Sequence, residues 1–183
     1  MPATIRASYY GNSASEPAGA TAETGITFSE SNAQVPAAGT APVSIPTATG
    51  TAYSWIMLLS FEVTGTSTTS INNRTARLAS AITSGLAIFF GNTSTYRNPA
   101  SGNAPADSGS AGPATPTPVG TSAPGSYTAL TTSAQQWDNT TSATSSTGRK
   151  GNFLELVAAV DNSYAGGGGQ ASLPNLTLAY DEF

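Results

Sequence analysis

The chain has 183 residues, of which 38% are hydrophobic and only 9% charged, with a formal net charge of −4. It contains no cysteine, no histidine and a single lysine, Lys150. These counts exclude a disulfide framework, thiolate or imidazole chemistry, and a basic footprint for nucleic acid or an anionic membrane, while the length suits one domain with a real core.

The N-terminal residues lack the apolar centre of a signal peptide, so synthesis in the cytosol is expected, and the first predicted strand is Thr4–Tyr10. Short strands are expected next at 26–29 and 43–45. The clearest signal spans 53–64, where Trp55, Met57, Leu59, Phe61 and Val63 are all apolar. The intervening positions change from Ile56 and Leu58 to Ser60, Glu62 and Thr64. Such alternation describes a strand with one buried face whose first half is buried on both faces. This run is the longest apolar stretch and is far too short to span a bilayer.

Further strands are expected at 74–79, 86–90, 127–131, 153–160 and 176–180. The run 153–160 also tolerates helix, but the turn formers around it, Gly151-Asn152 and Asp161-Asn162, favour strand. Residues 98–125 are rich in Pro, Ala, Ser and Gly, including Pro105, Pro113, Pro116 and Pro118, with Asp107 as the only charge. That composition predicts an extended loop or arm with polyproline II character, available to bridge a neighbouring subunit. Short strands punctuated by Gly, Pro, Asn and Ser predict an all-β, antiparallel β-sandwich of jelly-roll or immunoglobulin-like type in a single domain.

Residues able to carry chemistry are few. Among ten carboxylates, Glu62 and Glu155 read as outward-facing strand residues, Asp138 follows Trp137, and Asp161 ends a strand. No spacing links two of them as a glycosidase pair. Asp161-Asn162-Ser163 and Asp181-Glu182 offer oxygen ligands for calcium without the spacing of a calcium loop, and read as turn residues. The run Gly166 to Gly169 lacks the Lys-Ser/Thr that completes a phosphate loop. Four glycosylation sequons, at Asn73, Asn92, Asn139 and Asn175, fit the chance frequency in a chain so rich in Ser and Thr. No enzyme, metal or cofactor is expected. Trp55 reads as core. Trp137, in a polar run, is a candidate exposed contact residue. Arg74 and Arg77 are three apart on a predicted strand and so face opposite ways. One is expected to pair with Glu62 and the other to serve an intersubunit contact.

The segments 45–55 (IPTATGTAYSW), 72–80 (NNRTARLAS), 126–137 (SYTALTTSAQQW) and 173–182 (LPNLTLAYDE) resemble those of small virion proteins of tailed bacteriophages. The resemblance implies a β-rich structural component of the particle. Within it a capsid decoration or cement protein, homo-oligomeric and often trimeric, would contact the major capsid protein or other virion subunits. A tail or baseplate subunit is the first alternative. A carbohydrate-binding module of a host-recognition tip is the second, and it turns on whether Trp137 is exposed.

Overall fold

The computed structural model describes residues 2–10, 21–22, 28, 45, 51–54, 57–94, 96, 127–165 and 174–183. Two antiparallel sheets pack face to face as a β-sandwich, and the described residues contain no helix. The larger sheet comprises β1 (Thr4–Tyr10), β2 (Thr21–Ala22), β3 (Thr51–Tyr53), β4 (Met57–Gly65), β6 (Leu86–Thr93), β7 (Thr128–Ala129) and β10 (Gly148–Asp161). Its strand order is β2-β1-β4-β10-β6-β7, with β3 also on β10. The smaller sheet is ordered β11-β5-β8, with β9 also on β5. Its strands are β5 (Ser70–Leu78), β8 (Gln135–Asp138), β9 (Ser142–Ala143) and β11 (Leu176–Glu182).

The alternation read in the sequence sets which face each side chain takes. Met57, Leu59 and Phe61 of β4 turn inward beside Leu154 and Leu156 of β10, and Ile88 and Phe90 of β6 join them. Ile71, Ala76, Leu78 and Trp137 come from the smaller sheet. The Phe61 ring stacks on Trp137 at 5.7 Å and meets Tyr180 edge-on at 5.0 Å. The opposite face of the large sheet is also buried at its centre, since Leu58, Phe153 and Val157 have almost no exposed surface. Residues 57–61 and 153–157 therefore read as continuous apolar runs broken only by Ser60 and Glu155.

The expected strand at 53–64 is divided. Both β3 and β4 lie along the same side of β10, but the ladder is interrupted at Ser54. There the Ser54 hydroxyl accepts from Ala158 N at 2.9 Å, and Ser54 N donates to Ala158 O at 2.8 Å. Trp55 lies outside the described residues, as does the expected arm at 98–125 with Pro105, Pro113, Pro116 and Pro118. The expected strands at 26–29 and 43–45 also lie outside them, except for Phe28 and Ile45, neither of which is in a strand. The expected strand at 127–131 shortens to two residues, although Leu130 N still donates to Ile88 O at 2.7 Å while its side chain enters the core.

Candidate functional site

The described polar side chains with the least exposed surface include Arg74 and Asp138, which meet between the sheets. Three backbone irregularities bring them together. On β5, Asn73 adopts a left-handed φ of 46°, and the pairing with β11 shifts across this point. That extra residue turns Arg74 to the same inner side as Ile71, three positions earlier. On β8 the register shifts between the partners of Arg74 and Thr75, so that consecutive Trp137 and Asp138 are both buried. On β10 the pairing with β4 slips between Lys150 and Leu154, and Gly151 sits there at φ 77°.

Arg74 Nη1 donates to Asp138 Oδ2 at 2.8 Å and to Thr140 O at 2.6 Å, and Nη2 donates to Ser142 Oγ at 2.8 Å. Asp138 Oδ2 also accepts from Asn152 N at 2.9 Å, across the sandwich, and Oδ1 accepts from Thr140 N at 2.9 Å. One carboxylate thus joins β5, β8 and the bulge of β10. A Cβ on Gly151 would overlap Asp138 Oδ2 and the Arg74 guanidinium, so glycine is required by space as well as by φ. Burial pushes the Asp138 carboxyl upward. Hydrogen bonds from Thr140 and Asn152, with the Arg74 charge, outweigh it and hold the group below the usual carboxylate range. Burial lowers the Arg74 pKa against the opposing pull of Asp138.

A second set lies on the outer face of the large sheet. Glu62 Oε2 accepts from Arg6 Nε at 2.8 Å and Ser8 Oγ at 3.0 Å, and lies 2.7 Å from Arg6 Nη2. Glu155 accepts from Tyr127 Oη at 2.5 Å, and the Tyr127 ring lies so close over Gly91 that a Cβ there would strike it. Phe153 lies beneath the Arg149 guanidinium, 4.1 Å from the ring centroid, and 6.0 Å from the Tyr96 ring. A third set closes one end of the sandwich. Glu182 Oε1 accepts from Thr69 Oγ1 at 2.6 Å and Ala3 N at 3.0 Å, which hold its carboxyl low. The buried Thr144 hydroxyl donates to Thr69 O at 2.7 Å.

Several expectations change. Trp137 is 2% exposed and belongs to the core, so it offers no exposed contact; two positions on from Gln135, which pairs with the inward Ala76, it takes the inner face. Arg74 pairs with Asp138, and the partner of Glu62 is Arg6 on the adjacent strand. Arg77 does face the opposite way from Arg74 and is exposed on β5. Glu62 and Glu155 share the outer face as expected but are buried, not solvated. Glu155 lies opposite Leu58 in the ladder, four positions from Glu62. That offsets their backbone positions by about 13 Å along the strands, and each carboxylate is engaged by its own partners. Asp161 accepts from the Ser163 hydroxyl and from Ser163 N, at 2.5 and 2.7 Å, within its own turn, and these bonds lower its pKa. Among the described residues no three His, Cys, Asp or Glu side chains converge as a metal site. The run Gly166 to Gly169 lies outside the described residues.

Comparison with protein-family models, with curated proteins and with solved structures finds no match to this chain.

Proposed function

We propose that the protein is a non-enzymatic structural component of a tailed-bacteriophage virion, a capsid decoration or cement protein bridging neighbouring capsid subunits. The observation that carries the reading is how the chain uses its few charges. Arg74 and Asp138 are spent on one another and on the backbone of both sheets, in a clasp closed to solvent. Glu62 and Glu182 are likewise engaged by partners far away in sequence. Polar groups arranged in this way tie strands together. The resemblance of four segments to phage virion proteins supplies the setting.

In that role the sandwich acts as a stiff plate. Its clasp resists sliding of one sheet over the other, and its surface spreads load between the subunits it contacts. The major capsid protein is the expected partner, and no cofactor is needed. The carbohydrate-binding alternative rested on an exposed Trp137 and loses that support with the residue in the core. Cryo-electron microscopy of the native virion tests the proposal. Copies of this sandwich on the outer face of capsomers are expected. Density confined to the tail or baseplate would replace the decoration reading with the tail alternative, and absence from the particle would overturn both.

A further inference from the structure

The sheet edges of this sandwich are not alike. Strands β2 and β7 are two residues long, and on β8 the carbonyl of Trp137 is occupied by Asn92 Nδ2. Strand β11 is seven residues long and, among the described residues, pairs only with β5. Ala79 N donates to Asn175 O, and Ser70 and Phe183 exchange both main-chain bonds. Odd-numbered residues of β11 therefore turn their peptide groups toward β5. By the alternation of an antiparallel ladder, the peptide groups of Leu176, Leu178, Tyr180 and Glu182 point away from the sheet.

Among the described residues no hydrogen bond reaches that outer row. The side chains of Leu176, Leu178 and Tyr180 are only partly buried against the core. Edge strands are commonly blunted by shortness, bulges, proline or charge. Here the bulge lies on β5 and the strand contains no proline. Its two acids are already engaged, Asp181 with Asn73 Nδ2 at 2.8 Å and Glu182 with Thr69 and Ala3.

We propose that β11 is a homodimerisation edge, pairing antiparallel with β11 of a second copy about a two-fold axis at Ala179 and joining the two small sheets into one continuous sheet. This register engages the whole strand. It sets Leu176 against Glu182 and Leu178 against Tyr180 as hydrogen-bonded pairs, and forms about eight main-chain bonds. Thr177 of one copy faces Asp181 of the other, and the aliphatic–aromatic pairs cover the half-exposed inner row. The two-fold also separates the like charges. A parallel pairing would set Asp181 and Glu182 each against its own copy, so the acidic end of the strand selects the antiparallel arrangement. The proposal is independent of where the protein works, since it follows from the valence and charge of one strand.

Ala179 allows a direct test, because it is exposed and its peptide group is used within the chain. Substitutions there leave the monomer's core and ladder intact, which thermal melting checks. Sedimentation of the full chain is expected to show a dimer at micromolar concentration. Ala179→Glu and Ala179→Lys each place like charges across the axis. Each is expected to weaken the dimer by about tenfold or more, while mixing the two variants restores association. Ala179→Cys introduces the only thiol in the chain, and two such residues facing across the axis fall within disulfide reach, so mild oxidation is expected to link the dimer. A wild-type monomer or trimer, a dimer unaffected by either charge, or no rescue on mixing would overturn the proposal.

Discussion

Replacing Asp138 with asparagine removes the carboxylate that compensates a guanidinium with no exposed surface. The side chains of Arg74 and Asp138 retain 0% and 2% of their exposure, and their charged atoms lie 2.8 Å apart. In Asp138→Asn the cation keeps only neutral acceptors, Thr140 O and Ser142 Oγ. The acceptor for Asn152 N, which spans the two sheets, is also weakened. Breaking one side of a buried pair costs about 3–5 kcal/mol, against a total stability of about 5–15 kcal/mol for a domain. With a urea m value of about 2 kcal/mol/M, the unfolding midpoint should fall by about 1.5–2.5 M. Replacing both residues, as in Arg74→Met with Asp138→Leu, should cost less than the sum of the single changes, because no charge is left uncompensated. The carboxyl adds an acid dependence. Its folded pKa lies below the unfolded value near 3.9, so its contribution is complete above that value and is lost as the pH falls through the folded one. Wild-type stability should decline across that window, and Asp138→Asn should lack this part of the decline. A midpoint shift worth less than about 1 kcal/mol, or full additivity in the double variant, would show that solvent reaches Arg74 and refute the clasp.

Gly148 and Gly151 both have positive φ, but a Cβ at Gly148 meets nothing while one at Gly151 strikes Asp138 and Arg74. Gly148→Ala should therefore cost about 1 kcal/mol and Gly151→Ala about 3 kcal/mol or more in the same urea assay. Trp137→Ala removes a ring stacked on Phe61 and should cost about 3–5 kcal/mol, with loss of a solvent-shielded, blue-shifted component of the fluorescence. Every described basic residue (Arg6, Arg74, Arg77, Arg149 and Lys150) lies within a strand. Trypsin acting on the native protein should leave all five positions uncut, as intact-mass analysis of the digest would show.

Where the fold was legible, local alternation decided it. Thr4–Tyr10 has the expected bounds, and β6, β10 and β11 contain the runs assigned to them, because apolar residues two apart need only one buried face. Strand β8 escaped because Gln135, Gln136 and Asp138 are polar, and because a register shift that spacing does not reveal turns Asp138 inward beside Trp137. The clasp was half visible. Arg74, Ala76 and Leu78 alternate on one face of β5, so an arginine stood in an apolar row, a sign of a buried charge needing a partner. Its partner, Asp138, is 64 residues away, and only the pairing of β5 with β8 selects it over Glu62. Arg6 took Glu62 for the same reason, since β1 lies directly beside β4. The bulge at Gly151 left a fainter trace, a Gly-Asn pair within the long β10, which reads equally well as a turn before a strand.

The cement role itself is tested most directly with virions assembled without this protein. Purified chain should bind such particles at a fixed ratio to the major capsid protein and raise the temperature at which they release their DNA to that of the complete virion. Particles that neither bind the chain nor gain heat resistance from it would contradict the account.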